Sequence, residues 1–354
     1  MTMLVHRTRS ARVTITPPFG ESLGSGRAII VENLQFNEGF EIGFSCRRTM
    51  TPELGEMDVS IYNLPADLRG DLEASQTRKP DDLDQILASN GVAKGWTVYQ
   101  SGMSTDGSDA LAVGLPLVRL EAGYDGTVSD LFEAVGARLV SERDDETTYV
   151  TRINAVEALD AALYAKPVTV FPAGSPTFDV MTFLRIACGL GQGNATADVW
   201  SSIVGASTID AAYYSTMGGF EALGQLLDFL PLRWWVDGRE LWILPKDGQP
   251  YPPGVPPPYL PGAPIDPGIF LERPQRIEGG FVEVRTLLNP EYLPGRLMLL
   301  SPLSLGLEGA TAEQIERADI PPGYYRIEEV AHEGTTAAGG SFDSTCRIKR
   351  VDLV

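Results

Sequence analysis

The sequence predicts a mainly β protein with an α+β unit set into it: two small β-barrel domains joined by a helix-plus-hairpin domain. Three observations carry this. Short apolar–polar alternations separated by turn residues recur from residue 10 to about 160 and again from 274 to 350. Period two marks half-buried strands, and several short strands at regular spacing mark a small sandwich or barrel. Between the two runs, apolar residues recur at helical spacing within 175–230, and Asp237-Gly238 then sits between aromatic arms, the strongest short-range hairpin signal in the chain.

Val13 and Ile15 open the first strand, and 28–31 follows a Gly-rich turn at 20–26. The clearest strand is 40–48, with Phe40, Ile42, Phe44 and Cys46 at alternate positions. In 57–62, Met57, Val59 and Ile61 alternate with Asp58, Ser60 and Tyr62. Asn63-Leu64-Pro65 ends that strand, because Pro65 cannot extend a ladder and restricts Leu64. A short helix can follow over 66–74. The next strand alternates Val118, Leu120 and Ala122 with Arg119 and Glu121, and closes in the turn Gly123-Tyr124-Asp125-Gly126. Strands at 129–140 and 147–153 flank a solvated turn, Asp144-Asp145-Glu146. An insertion at 75–114 is polar and Gly-rich, with one or two helical turns near 79–88 and a loop at 102–109. Such a segment is either a contact with a neighbouring subunit or plain disorder.

Ser175-Pro176 reads as a helix start, with Ser at the cap and Pro at the first position. Phe178, Met181, Phe183, Leu184 and Cys188 form the apolar face, and Gly189 and Gly191 end it. A second helix over 218–230 places Phe220, Leu223, Leu226, Leu227 and Leu230 on one face. In the hairpin at 233–244, adjacent Trp234 and Trp235 must face opposite sides, so one of them is expected to be exposed or at an interface. Ten prolines between 245 and 267 forbid a helix and favour an extended linker. Strands return at 281–287, 296–300, 324–330 and 343–351, with a short helix or turn at 312–318. The expected domains are therefore 1–165 with the insertion 75–114, then 166–245, the linker 246–273, and 274–354.

Composition narrows the function classes. At 354 residues and 43% apolar content the chain can bury sizeable cores, in about two to four domains. The net charge of −19 argues against wrapping nucleic acid, which needs clustered Lys and Arg. Cys46, Cys188 and Cys346 are far apart and lack metal-ligand spacing, so each reads as a core residue. The basic stretch 1–12 lacks the apolar run of a secretory signal, and no stretch reaches the length of a membrane span. The chain is thus expected to be soluble when made.

Two blocks resemble the baseplate hub proteins of bacteriophage tails, a family that includes the late-control D proteins and the spike-bearing hubs of contractile injection machines. The first is the strand ending Asn63-Leu64-Pro65 followed by Leu120-Glu121-Ala122-Gly123-Tyr124-Asp125-Gly126 and Leu131-Phe132. The second runs from Arg276 through Leu288-Asn289-Pro290 and Pro294-Gly295-Arg296 to Tyr325-Arg326-Ile327, with His332 close behind. Together they cover about half the chain, and the insertion 75–114 departs from the family pattern.

The resemblance implies tube-type barrels and a homotrimeric ring with pseudo-six-fold symmetry in the tail baseplate of a virion. Such a ring connects the tail tube or a distal tail protein to the central spike, contacts other baseplate proteins, and lets DNA pass without specific binding. Two similar barrels in three chains give six quasi-equivalent positions, which match a six-fold tube to a three-fold spike. An acidic lumen would repel DNA phosphates. The strands 40–48, 117–122 and 281–287 are the candidate edges for pairing between subunits, with Phe40, Ile42, Phe44, Leu120, Tyr124, Trp235, Val282 and Val284 as candidate interface residues.

No catalytic, cofactor or metal site is expected. His6 and His332 are the only histidines, and His332 reads as a strand-end residue. The carboxylate pairs Glu142 with Asp144 and Glu328 with Glu329 need no catalytic explanation in an acidic chain. The run Gly189-Leu190-Gly191-Gln192-Gly193 follows a helix and lacks the Lys-Ser/Thr of a phosphate loop. Trp234, Trp235 and Trp242 leave open a carbohydrate-binding or cell-wall hydrolase module of a tail. Another tail ring, such as a distal tail protein, would be six-fold.

Overall fold

The computed structural model describes residues 8–16, 28–34, 39–76, 116–159, 165, 169–215, 218–246 and 270–351. The insertion after residue 76 and the Pro-rich linker lie outside these residues. The fold is mainly β with an α+β unit, as the periodicities predict.

The N-terminal strands are β1 (Arg9–Thr16), β2 (Ile29–Asn33), β3 (Ile42–Thr49), β4 (Glu56–Tyr62), β5 (Leu117–Tyr124), β6 (Thr127–Arg143) and β7 (Tyr149–Val156), with helix α1 (Ala66–Gln76) between β4 and β5. They pair in the order β3-β4-β7-β6-β5-β1-β2, each with its neighbours antiparallel. The seventeen-residue β6 serves two partners, β5 with its first half and β7 with its second. Bulges at Leu120/Glu121 and Gly136/Arg138 supply the bend this requires. The two ends of the run meet at Phe40, whose N–H donates to Glu32 O at 3.3 Å and whose carbonyl accepts from Asn33 Nδ2 at 2.9 Å. Gly39 makes that approach possible: it sits at φ +113°, and a Cβ there would fall 2.3 Å from Glu32 O. Inside lie Val13, Val31, Ile42, Val59, Leu120 and Ile153, joined by Leu64 and Leu72 from the α1 segment and by Leu288 and Phe342 from the C-terminal strands.

The C-terminal strands are β12 (Gln275–Ile277), β13 (Phe281–Leu287), β14 (Leu297–Leu300), β15 (Gly323–Thr335) and β16 (Phe342–Arg350), with a short helix at Ala312–Glu316 capped by Thr311. These strands do not stand apart from the first set. β15 pairs β16 along one edge; on its other edge Gly323 to Arg326 take β14, and Glu329 to Thr335 take β3. The register shift between Ile327 and Glu329 marks the hand-over. The strands expected in two barrels thus share one twelve-stranded sheet. Gly334 is needed at this junction, because a Cβ would lie 2.3 Å from the Phe44 ring. A second core, with Val282, Val284, Tyr292, Met298, Ile327 and Cys346, fills the C-terminal part.

The middle unit holds β8 (Thr169–Phe171), α2 (Thr177–Ala187), α3 (Ala197–Ile203), β9 (Tyr213–Ser215), α4 (Gly219–Asp228) and the hairpin β10 (Leu232–Asp237) and β11 (Glu240–Pro245). Val180, Met181, Leu184, Trp200, Leu223, Leu227 and Trp234 form its core. Two boundaries shift from expectation. α2 begins at Thr177 with Pro176 in the cap position, while the Ser175 hydroxyl instead donates to Pro172 O. In the hairpin, Asp237 pairs with Glu240, so the turn residues are Gly238 and Arg239, at φ +60° and +62°. Positive φ at both central residues is the turn that matches strand twist.

Candidate functional site where the hairpin meets the sheet

The predicted interface residues lie inside the chain. Ile42, Phe44 and Leu120 fill the N-terminal core, Val282 and Val284 fill the C-terminal core, and Phe40 and Tyr124 pack partly buried against the first. Their strands are interior as well: β3 lies between β15 and β4, β5 between β1 and β6, and β13 between β12 and β16. Alternation reports that a side chain is buried, and here the chain's own cores account for it. The strands with a single partner among the described residues include β2 and β12, at the two ends of the sheet. Among the described residues the large exposed apolar side chains are Ile30, Val170, Phe183, Ile186, Phe229, Leu271, Leu303 and Tyr324. Only Phe183 among these was singled out by helical spacing, because isolated surface residues leave no periodic signal.

Trp235 is fully buried, stacked on Trp242 with ring centroids 6.2 Å apart and packed with Met50 and Leu244. Gly295, at φ +84°, lies so close that a Cβ would come 2.9 Å from the indole. Trp234, on the opposite face, is also buried: it packs on Phe220 and donates its indole N–H to Asp228 Oδ1 at 2.9 Å. Of the two outcomes expected for the pair, exposure or an interface, exposure does not hold. The interface that takes Trp235 is internal, between the hairpin and the large sheet.

Charged groups surround this joint. The Arg233 guanidinium donates to Glu328 Oε2 at 2.7 Å and to Met50 O at 3.3 Å, and Arg326 also pairs with Glu328. On the other flank, Arg48 is buried, its guanidinium 4.3 Å from the Phe132 ring centre and donating to Leu131 O. Its Nε lies 3.1 Å from Asp237 Oδ1 and 4.0 Å from Glu157 Oε1, and the Gly238 N–H donates to that Glu157 oxygen at 2.5 Å. Burial raises Glu157, against the pull of Arg48, to about 7, and raises Asp237 in the same direction. Arg48 is held in its charged form by the two carboxylates.

Sequence reading missed Arg48, yet its signal was there. It occupies the inward parity of Ile42, Phe44 and Cys46, where a charge demands buried partners. His332 carries the same signal, following Val330 on β15; it is buried, with Nδ1 2.8 Å from Ser344 Oγ. Burial and the nearby Arg48 depress His332 from 6.5 to about 3. A histidine depressed on folding leaves stability intact above its unfolded value and withdraws it as pH falls through that value toward the folded one. The contribution of His332 to the unfolding free energy should therefore decline from about pH 6.5 downward, read as the difference between wild type and His332→Gln in denaturant titrations at several pH values.

The remaining candidates for chemistry are accounted for structurally. Glu142 pairs with Arg152, and Glu329 with Arg47 and Arg347. Asp145 accepts from Thr147 and Thr148 in its turn, which lowers it to about 2. The three cysteines are buried, and burial pushes Cys46 to about 12 and raises Cys346 as well. Among the described residues no cluster of His, Cys, Asp or Glu could hold a metal ion, and no helix is long and apolar enough to cross a membrane.

The outward face of the sheet is polar across the junction. Glu333 on β15, Ser45 on β3, Asp58 on β4 and Asn154 on β7 lie opposite one another in register. Arg47 bonds Glu329 across the β3–β15 seam at 2.7 Å.

No family model matches the chain, and no curated protein matches it in sequence. Solved structures do match in shape. A 43 kDa tail protein of prophage MuSo2 from Shewanella oneidensis superposes with a TM-score of 0.51 at 9% identity, over 96% of this chain and 98% of that one. A tail protein from Neisseria meningitidis gives 0.47 at 10% identity over 96% of both chains. A component of the E. coli type VI secretion system gives 0.44 at 7% identity, over 88% of this chain and 74% of that one. Over nearly its whole length, then, the chain has the fold of a prophage tail protein.

Proposed function

We propose that the chain is a structural subunit of a phage-like tail, the baseplate hub, which closes as a trimer with pseudo-six-fold symmetry between the tail tube and the central spike. The observation that carries this reading is the end-to-end likeness of fold to the Shewanella prophage tail protein, with neither chain leaving a large part unmatched. The sheet supports it physically. Its outer face is polar across β15, β3, β4 and β7, where Glu333, Ser45, Asp58 and Asn154 stand in register, a surface suited to the wall of a channel through which DNA passes. The end strand β12 then offers an edge through which neighbouring copies pair, and β2, whose outer edge is met by Phe40 at Glu32, offers the exposed Ile30 as a contact. Tube, spike and further baseplate proteins are its partners, and the virion tail is its location.

Ile30, 57% exposed on β2, tests that contact. Ile30→Lys should abolish association of the copies in sedimentation velocity while leaving the circular dichroism spectrum unchanged; unchanged association would remove β2 from the interface. The glycan reading loses its platform, since Trp234 and Trp235 are covered. Release of soluble sugar from cell-wall glycan by the isolated chain would nevertheless restore it.

A further inference from the structure

We propose that Glu157 and Asp237 hold one proton between them around the Arg48 guanidinium, and that this proton latches the β10–β11 turn onto the large sheet. Two carboxylates approach one guanidinium nitrogen, at 3.1 and 4.0 Å, and all three residues are less than a tenth exposed. With both carboxylates ionised the cluster would bury an uncompensated negative charge, which a low-dielectric site disfavours strongly. One proton removes it. Glu157 Oε1 is already engaged by the Gly238 N–H, whereas Glu157 Oε2 is buried without a hydrogen bond among the described residues, and the proton belongs there or on Asp237.

The neighbours do not neutralise the excess. Glu133 on β6 adds a further negative charge facing Arg48, and Arg119 and Asp130 at the rim pair with each other. Cys46 on β3 and His332 on β15 face the cluster in uncharged forms, and Arg48 is the cation that pulls on both carboxylates. The shifts of both carboxylates agree with a shared proton, and the titration belongs to the pair. A cleft of about 380 Å³, lined by Arg48, Glu133, Asp237, Gly238 and Pro290, gives solvent a route for the proton to enter and leave.

The position makes the cluster a latch. Glu157 follows β7 of the sheet, Arg48 lies on β3, and Asp237 ends β10 with Gly238 opening the turn. Acids raised on docking strengthen the docked state at low pH and weaken it as pH rises from the ordinary carboxylate value through the docked one. The window is therefore 4.5 to about 7, with no further change above it.

Hydrogen exchange of the hairpin amides, corrected for intrinsic rates, measures this in the full chain. In the wild type, protection over 232–245 should fall by roughly tenfold per pH unit across that window and then level off. In Glu157→Gln or Asp237→Asn the fall should vanish. The same slope in both variants and the wild type, or protection that rises with pH, overturns the proposal. Should neither variant fold, an infrared titration of the wild type decides. A buried protonated carboxyl band persisting at about pH 6, where ordinary carboxylates are ionised, supports the latch, and its absence overturns it.

Discussion

Trp235→Ala should destabilise the chain by about 3–5 kcal/mol, the range for emptying a fully buried aromatic site. The indole is enclosed by Met50 from the loop after β3, by Gly295 from the segment before β14, and by Trp242 and Leu244 of its own hairpin. Those walls belong to different parts of the chain, so none can relax into the gap without pulling its own strand out of register. Gly295 cannot be enlarged to fill the space either, because its positive φ resists a side chain. Trp235→Phe should recover a large part of the loss. Guanidinium denaturation gives the measurement, and a loss under about 1 kcal/mol would mean that the hairpin is not seated as described.

The second large effect is electrostatic. Arg48→Met removes the guanidinium that both Glu157 and Asp237 approach and should cost about 3–5 kcal/mol at neutral pH, the cost of stranding buried carboxylates. Replacing all three partners together, Arg48→Met with Glu157→Gln and Asp237→Asn, should recover most of that loss, because the stranded charge disappears with the partner. Arg233→Met is the control. Its side chain is 25% exposed, so water can screen Glu328 in its absence, and the effect should be smaller. A triple variant as unstable as Arg48→Met alone would locate the importance of Arg48 in its packing on Phe132 instead.

Both predictions concern residues whose surroundings a linear reading could not supply. The strands were legible because period two is a local property: the alternation of Ile42, Phe44 and Cys46 needs only a buried face, whatever covers it. For the same reason the identity of the cover was not legible. Phe44 and Val284 look alike in sequence whether they meet a second subunit or the chain's own core, and the structure gives them the latter. The helices α2 and α4 were legible from their apolar faces, whereas α3, seven residues long, has too few turns to establish a period. β15 was anticipated only in part, at 324–330; its continuation to Thr335, which fuses the two strand sets, follows from pairing with β3 and not from local pattern. The charged joint was half legible. Arg48 and His332 break the parity of apolar strands, but nothing local says that Glu157 and Asp237 answer the first and Ser344 the second.

Fusion of the two strand sets through β15 also bears on the proposed role as a hub. A ring subunit that matches a six-fold tube to a three-fold spike must present two similar surfaces in fixed relation. A continuous ladder through β3 and β15, braced by the Arg47–Glu329 pair on its outer face and by Trp235 behind the joint, fixes that relation more firmly than a linker could. The middle unit then sits on the rigid joint as a separate helical body with its own core.

The most direct test of this account is the native mass of the purified chain combined with negative-stain imaging of the same sample. The account predicts three copies per particle, arranged as a ring of six lobes about a central hole. A six-copy ring with one lobe per chain, or a compact particle with no central opening, would contradict it.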